Sequence, residues 1–330
     1  MSNMKLTRRT FSLAGLSGLA GLAVPAIARG ATDYPTKPIR IIIPFGPAGS
    51  SDISARTLQN PLQQKLGQSI IIEHRPGAGS NIGTAAVARS DPDGYTLMIT
   101  SSAFVVNPTL YAKVSYDAYK QFAPIADIAD APNVLIANPK SGFKTLKDVI
   151  DFAKQNPGKL NAASPGIGTT PHLSLELLKQ RAGIDFVIVN YQGGGPAGQA
   201  MLAGQTDLFF SALPNIYSHL TAGTMRTIAI ASDRRWPGLP DVPTFVESGF
   251  PNFLTYTGHL FLAPAGTPPE IVKKLSDATV EIIKRPDVSE QFFKLGYFPV
   301  GGDAEAAKAR IARDIPFYGE IIRKAKLRIE

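Results

Sequence analysis

The sequence contains no cysteine and only one tryptophan among its 330 residues. Without cysteine, disulfide bonds and thiolate chemistry are excluded, and no residue follows the leader to which a lipid anchor could be attached. Beyond the first 30 residues no stretch reaches about 18 consecutive apolar residues, so the sequence predicts no membrane-spanning helix there. Hydrophobic residues make up 44% of the chain, which is enough for a sizeable buried core.

The chain has little excess charge once its N-terminal leader is set aside. The formal net charge is +8, but four of the positive residues, Lys5, Arg8, Arg9 and Arg29, lie in a leader that has no acidic residue. The rest of the chain therefore has a charge of only +4, and its Lys and Arg residues alternate with acids on predicted helices. This pattern forms no basic stripe, so we expect no nucleic-acid partner.

The leader has the features of an export signal. Arg8 and Arg9 precede an apolar run of small residues at 14–27, and small residues suited to cleavage follow at 26–30. The paired arginines favour a twin-arginine signal, and a general secretory leader is the alternative. We expect residues 1–30 to be an export signal that is removed, which would leave a soluble mature protein in the periplasm.

The sequence is organised around residues 39–52. An apolar β-branched run ends at Pro44, a loop with Gly46, Pro47 and Gly49 follows, and Ser50, Ser51 and Asp52 stand where the N-cap of a helix belongs. The unpaired N–H groups of such a helix start stabilise anions, and this loop contains no Lys or Arg. An anion held here would be bound by backbone dipoles and hydroxyl groups; an ordinary turn between a strand and a helix is the alternative.

Strand and helix patterns alternate along most of the chain, which predicts an α/β fold with parallel sheets. An extended stretch at 122–138 leads into a second α/β unit, and an apolar run at 256–263 returns to the first. Ligands bind beyond the C-terminal ends of parallel strands. Loops rich in Gly, hydroxyl and amide groups occupy such positions, so we expect them to face one cleft; they are residues 45–52, 100–107, 164–172, 191–197 and 211–215.

Signatures of catalysis and of metal binding are missing. Ser141 and Lys144 have Ser-x-x-Lys spacing, but the companion motifs of that enzyme class are absent. His74, His219 and His259 have no spacing typical of metal ligands. The predicted cleft loops contain few titratable groups, which favours reversible binding over acid–base turnover. We expect no enzyme activity and no cofactor.

Several motifs together resemble one family. They are Ile-Ile-Ile-Pro-Phe-Gly-Pro-Ala-Gly-Ser-Ser-Asp at 41–52, Glu-His-Arg-Pro-Gly-Ala-Gly at 73–79, Pro-Asp-Gly-Tyr-Thr-Leu at 92–97, Gly-Ile-Gly-Thr at 166–169, Asp-Val-Pro-Thr at 241–244 and Ala-Pro-Ala-Gly-Thr-Pro at 263–268. In these motifs the chain resembles the periplasmic solute-binding receptors of tripartite tricarboxylate transporters, the Bug receptor family. The match extends in order along nearly the whole mature chain.

The resemblance implies a type II periplasmic-binding-protein fold, in which two α/β lobes joined by crossover strands close over a small carboxylate. Residues 31–130 and 255–330 would form the first lobe and residues 131–254 the second, with hinges near residues 129–132 and 253–257. Such a receptor delivers its ligand to the permease subunits of a membrane transporter, and we expect it to be a monomer.

The resemblance also implies which residues contact the ligand. Main-chain amides of the first loop would hold the carboxylate, with partners on the same lobe and on the facing lobe. Carried over by position, these residues are Phe45, Ala48, Gly49, Ser50, Ser101, Ser102 and Asn107 on the first lobe, and Ser164, Gly166, Gly168, Thr169, His172, Tyr191, Gly194 and Ala197 on the second. Asp52 is a further candidate, although an acid in a first helical turn commonly serves the helix dipole. His172 is equally well explained as a structural histidine.

Two positions depart from the family pattern. Ser211 stands where members commonly have an acid, and Gly258 stands where many have tryptophan. We therefore expect a roomier, less anionic pocket, with Ser211 in its wall, for a dicarboxylate or aromatic carboxylate rather than a short amino acid. Two alternatives remain open, namely a periplasmic sensor subunit that presents its ligand to a signalling partner and an exported hydrolase.

Overall fold

The computed structural model describes residues 33–47 and 49–330. The predicted export signal and Ala48 lie outside the described residues. The elements up to the first crossover alternate as the sequence predicts, and they are β1 (Ile39–Ile43), α1 (Ser50–Leu66), β2 (Ile70–His74), α2 (Asn81–Ala88), β3 (Thr96–Ser101), α3 (Ala103–Leu110) and β4 (Phe122–Ala137).

The remaining elements complete a second α/β unit and then return to the first. The second unit contains α4 (Leu146–Gln155), β5 (Asn161–Ser164), α5 (Thr170–Ala182), β6 (Val187–Asn190), α6 (Gly194–Ala203), β7 (Leu208–Ala212), α7 (Tyr217–Thr221) and β8 (Arg226–Ile230). The return consists of β9 (Tyr256–Pro264), α8 (Pro269–Lys284), α9 (Pro286–Lys294), β10 (Phe298–Gly302) and α10 (Ala304–Lys324).

Local sequence signals explain several helix ends. The Thr145 hydroxyl accepts the Asp148 N–H at 3.2 Å and the Asp148 carboxylate accepts the Thr145 N–H at 2.9 Å, a capping box that starts α4. Gly67 and Gly183 end α1 and α5 in the left-handed conformation, with φ of 70° and 61°.

Two crossover strands join the lobes. β4 and β9 pair antiparallel from Phe122 opposite Pro264 to Pro132 opposite Tyr256. In the first lobe, β2, β1 and β3 are parallel, β9 pairs with β3, and β10 pairs with β4. In the second lobe, the C-terminal half of β4 pairs with β7 and β8, while β7, β5 and β6 are parallel. The predicted fold of two α/β lobes joined by crossover strands is confirmed.

The central strands are buried on both faces. Ile41 and Ile43 of β1 belong to a core cluster with α1, α8 and α9, whereas Ile42 belongs to a cluster with α3 and α10. This alternation explains the continuous isoleucine run, because a strand covered on both faces needs apolar side chains at every position. None of the helices among residues 33–47 and 49–330 combines the length and apolar character needed to cross a membrane.

Candidate functional site

A cleft of about 530 Å³ lies between the two lobes. Loops and helix starts that follow the parallel strands β1, β3, β5, β6 and β7 line it, together with the crossover strand β9. The lining residues are Phe45, Pro47, Gly49, Ser50, Ser51, Ile53, Ser101, Ser102, Ala103, Pro165, Thr169, Thr170, Pro171, Gly194, Gly195, Ala212, Pro214, Asn215 and Thr257. The cleft is therefore built where strand ends from both lobes meet, as in other open parallel sheets.

The start of α1 directs backbone N–H groups toward this cleft. Its N-cap is Gly49, which has no side chain to accept a hydrogen bond, and the first intrahelical bond runs from Ile53 N to Gly49 O at 3.0 Å. The N–H groups of Ser50 and Ser51 precede that bond and have no partner within the helix. This end of α1 favours a negatively charged group.

The start of α6 supplies a second set of N–H groups from the facing lobe. Its N-cap is Gly193, with φ of 116° and again no side-chain cap, and Ala197 N makes the first intrahelical bond to Gly193 O at 3.3 Å. Gly194 and Gly195 both line the cleft. At α5, in contrast, the Thr169 hydroxyl already accepts the His172 N–H at 3.3 Å. The starts of α1 and α6, like that of α3 at Ser102, therefore lack a side-chain cap, and α1 and α6 present theirs from different lobes.

No charged side chain appears among the described lining residues. The acid nearest the α1 start, Asp52, is only 2% exposed, and its carboxylate accepts a hydrogen bond from Arg56 Nε at 3.0 Å and lies 2.8 Å from His74 Nε2. Asp52 thus faces its own lobe. A carboxylate ligand would meet neither a repelling acid nor a basic partner, only dipoles and hydroxyl groups.

One hydroxyl in the wall is notable because it is buried without a partner. Among the described residues, Ser51 Oγ has no hydrogen-bond partner, although Ser51 is 2% exposed and lines the cleft. An unsatisfied buried hydroxyl is unfavourable by about 1–3 kcal/mol. A ligand oxygen that accepted its hydrogen bond would remove this penalty.

A second cavity of about 580 Å³ lies behind the crossover strands. Tyr256 and Gly258 line it, whereas Thr257 between them lines the cleft, because successive residues of a strand face opposite sides. Its charged groups largely pair with one another: the Arg310 guanidinium, 6% exposed, lies 3.0 Å from Asp127 and also bonds Asp130. Within the described residues no group of three His, Asp or Glu side chains could hold a metal ion.

Comparison with known proteins identifies the family. A model of the tripartite tricarboxylate transporter family receptors matches residues 54–327. The chain belongs to this receptor family. BugT of Bordetella pertussis is 34% identical to this receptor over 302 residues, which cover 91% of this chain and 93% of BugT.

Solved structures agree in fold. A structure from R. palustris with adipate is 30% identical and superposes with a TM-score of 0.83 over 90% of this chain and 99% of that one. MatC from Rhodopseudomonas palustris, with bound malate, is 29% identical with a TM-score of 0.78 over 88% of this chain and 100% of MatC. The resemblance to the Bug receptor family and the fold expected from it are both confirmed.

The structure brings seven of the predicted ligand contacts into the cleft wall. The first lobe contributes Phe45, Gly49, Ser50, Ser101 and Ser102, and the second contributes Thr169 and Gly194. Ala48 lies outside the described residues. That these residues contact a ligand stays a prediction.

Other predicted contacts lie behind the wall and support it. Asn107 Nδ2 donates to Gly79 O at 2.7 Å and to Asn81 Oδ1 at 2.9 Å, which joins α3 to the first residue of α2 and to the loop before it. Gly168 N donates to His172 Nδ1 at 3.4 Å, and burial lowers the pKa of His172 to about 4. His172 is therefore neutral at neutral pH. The other predicted ligand contacts that do not line the cleft are Asp52, Ser164, Gly166, Gly168, Tyr191, Ala197 and Ser211.

The expected effect of Gly258 on pocket size is wrong. Gly258 faces the second cavity rather than the cleft, and a Cβ atom at this position would come closer than 3.0 Å to Arg310 Nη1. The missing side chain makes room for the guanidinium of α10 and adds no space for a ligand. Ser211 is likewise fully buried within β7, and it is the next residue, Ala212, that lines the cleft.

Several wall residues had no individual signal in the sequence. Ser51, Ile53, Thr170 and Asn215 lie within loops or helix starts that the sequence singled out, but nothing distinguished them from their neighbours. Thr257 lies on the crossover strand, and only its place near a predicted hinge could have indicated it.

Proposed function

We propose that this receptor captures a small carboxylate without an amino group, closes its lobes over it and delivers it to the permease of a tripartite membrane transporter. The observation that supports this most strongly is the cleft itself, which joins uncapped helix starts from both lobes and has no charged side chain in its described wall. The adipate and malate in related structures belong to the same chemical class.

The described wall contains no acidic side chain, and this should weaken the binding of amino acids. The α-ammonium group of aspartate or glutamate loses its hydration when the lobes close, and burying it without a carboxylate of opposite charge is unfavourable by several kcal/mol even where neutral hydroxyls accept its hydrogen bonds. A dicarboxylate or an aromatic carboxylate has no such group. Phe45, Ile53 and the prolines of the wall offer apolar contact to its carbon skeleton.

Lobe closure requires a ligand that touches both lobes, because only a difference in affinity between open and closed states shifts their equilibrium. The uncapped helix starts at Gly49 and at Gly193 belong to different lobes. A carboxylate that bridges them stabilises the closed arrangement.

Isothermal titration calorimetry of the mature chain tests the binding proposal. We expect malate, adipate or benzoate-type acids to bind and aspartate and glutamate to bind at least tenfold more weakly. Tight binding of amino acids with none of the amine-free acids would contradict the proposal. Recovery of each ligand unchanged after long incubation would exclude the hydrolase alternative.

Export and delivery need experiments in cells. Residues 1–30 would direct export, so the mature protein should be found in the periplasm and its N-terminal mass should show removal of the leader. Loss of ligand uptake on deletion of the receptor supports delivery to a permease. Unchanged uptake together with a lost transcriptional response would favour the sensor alternative.

A further inference from the structure

Four polar side chains form a closed ring where α5 meets the two crossover strands. Thr170 and Ser174 belong to α5, Asn133 to β4 and Thr257 to β9. Thr170 Oγ1 and Thr257 Oγ1 are 2.6 Å apart, Thr257 Oγ1 donates to Asn133 Oδ1 at 3.2 Å, and Asn133 Nδ2 donates to Ser174 Oγ at 3.3 Å. Ser174 Oγ closes the ring by donating to Thr170 O at 2.7 Å. We call these four residues the hydroxyl ring.

The direction of each hydrogen bond follows from counting protons, since a hydroxyl has one proton to donate. Thr257 donates its proton to Asn133 Oδ1, so in the bond between the two threonines Thr170 must be the donor. Ser174 donates to Thr170 O, so Thr255, 2.7 Å away, must donate to Ser174. Neither Thr170 nor Thr257 has a proton left for a ligand.

Two neighbouring hydroxyls of the cleft wall, those of Ser102 and Thr169, likewise have no proton left to donate to a ligand. Ser102 Oγ donates to Tyr256 O at 3.3 Å and accepts the Gly258 N–H at 2.8 Å, and these two residues flank Thr257. Thr169 Oγ1 donates to Gly166 O at 2.8 Å. We call Ser102, Thr169, Thr170 and Thr257 the acceptor wall, because all four line the cleft and their hydroxyls can only accept.

At the uncapped starts of α1 and α6 the wall offers hydrogen-bond donors instead. The N–H groups of Ser50 and Ser51 and the unpartnered Ser51 hydroxyl can donate, and Gly194 and Gly195 add N–H groups from the facing lobe. The cleft therefore has a donor end, suited to a carboxylate, and an acceptor wall at the crossover strands. A carboxylate oxygen at the acceptor wall would face lone pairs, and binding it there would break the hydroxyl ring.

From this polarity we propose that the receptor selects carboxylates that also contain a hydroxyl group, which donates a hydrogen bond to the acceptor wall. This inference rests on the proposed carboxylate-binding function and narrows its substrate class to hydroxycarboxylates. A net hydrogen bond of ordinary strength corresponds to roughly 3- to 10-fold tighter binding than the parent acid.

Calorimetry with matched pairs of acids tests the inference on the mature chain. Each pair differs only in one hydroxyl, for example succinate against malate, and adipate against its 2-hydroxy and 3-hydroxy derivatives. The wild type should bind at least one hydroxylated acid roughly 3- to 10-fold more tightly than its parent. In Thr257→Val the ratio should fall to about 1 or below, because Thr170 then has a free proton to donate.

Two further variants separate this effect from a loss of structure. Thr257→Ser keeps the hydroxyl and should keep the ratio. Thr279→Val removes a buried hydroxyl in α8 that bonds Leu275 O at 2.7 Å, remote from the cleft wall, and should leave the ratio unchanged.

The possible outcomes distinguish the two proposals. Equal or tighter binding of the parent acid in every pair overturns the hydroxyl preference while leaving carboxylate binding standing. Retention of the full ratio in Thr257→Val overturns the role of the acceptor wall. If none of the acids binds the wild type, the proposed function and this inference both fall.

Discussion

Replacing Gly168 by alanine should weaken ligand binding by holding the lobes apart. Gly168, on the loop before α5, has φ of 76°, and a Cβ atom there would lie closer than 3.0 Å to Cδ2 of Leu110 at the end of α3. Carbon atoms pack at about 3.5–4.0 Å. Leu110 is only 1% exposed, so its side chain has little room to move away.

The substitution has two effects of different kinds. Alanine at positive φ costs about 1 kcal/mol in the folded state whatever the lobe arrangement. Gly168 and Leu110 belong to different lobes, so we expect their contact to be made when the lobes close, and overpacking of this kind costs about 1–3 kcal/mol. If the penalty falls on the closed state alone, binding should weaken by roughly 5- to 150-fold.

Gly183→Ala provides a matched control in the same lobe. Gly183 has φ of 61°, and nothing lies within 4 Å of a Cβ atom there. Urea unfolding should show a similar loss of stability in both variants, whereas calorimetry should show weaker binding in Gly168→Ala alone. Leu110→Val, which removes the contacting Cδ atom, should restore affinity to Gly168→Ala. Equal affinities of the two glycine variants would show that the contact with Leu110 does not oppose lobe closure.

Three more substitutions test other parts of the account. Ser51→Ala should weaken carboxylate binding by roughly 3- to 10-fold in calorimetry without lowering the melting temperature, because the hydroxyl that it removes has no described partner. Gly258→Ala should lower the unfolding free energy by about 2–4 kcal/mol in urea titrations by displacing the Arg310 guanidinium, with ligand preference unchanged; wild-type stability would contradict this. Burial lowers the pKa of His172 to about 4, so between about pH 6.5 and pH 4 the unfolded chain binds a proton that the folded chain does not, and folding weakens as pH falls. Between pH 7 and pH 5, the unfolding free energy of His172→Asn in urea should therefore fall by about 2 kcal/mol less than that of the wild type. Equal decreases in the two proteins would exclude protonation of His172 as the cause. Asp127, whose pKa burial raises to about 7, acts in the opposite direction but equally in both proteins.

Elements with strong local signals could be predicted closely from the sequence. Periodicity and end signals in the sequence predict helices at 146–155 and at 269–284. Both are confirmed with the same bounds as α4, which a capping box starts, and α8, which begins at a proline. The crossover strands were recognisable as long apolar stretches. These features are set by residues close together in the chain.

Two elements were not predicted because tertiary contacts decide them. β10 contains Pro299, Gly301 and Gly302, which are unfavourable in strands, and it forms by pairing with β4 across an irregular register. α3 has no side-chain cap and contains Pro108; contacts with α10 and the loop before α2 hold it in place.

The sequence predicts which loops form the cleft, but it does not predict where the cleft offers hydrogen-bond donors and where it offers acceptors. Parallel strands place their following loops at one edge, so Gly49 and Gly194 could be assigned to one cleft from the order of elements alone. Which hydroxyls have a free proton depends on partners far away in sequence, as in the bond between Thr170 and Thr257. The apposition of Gly258 and Arg310 likewise required the folded arrangement.

A crystal structure of the mature receptor with a bound dicarboxylate would show which groups hold the ligand carboxylate. We expect the carboxylate within about 3 Å of the N–H groups of Ser50, Ser51 and Gly194 or Gly195, with no Lys or Arg side chain in contact. A ligand carboxylate held by Arg234 or Arg313 in the cavity behind the crossover strands would contradict it.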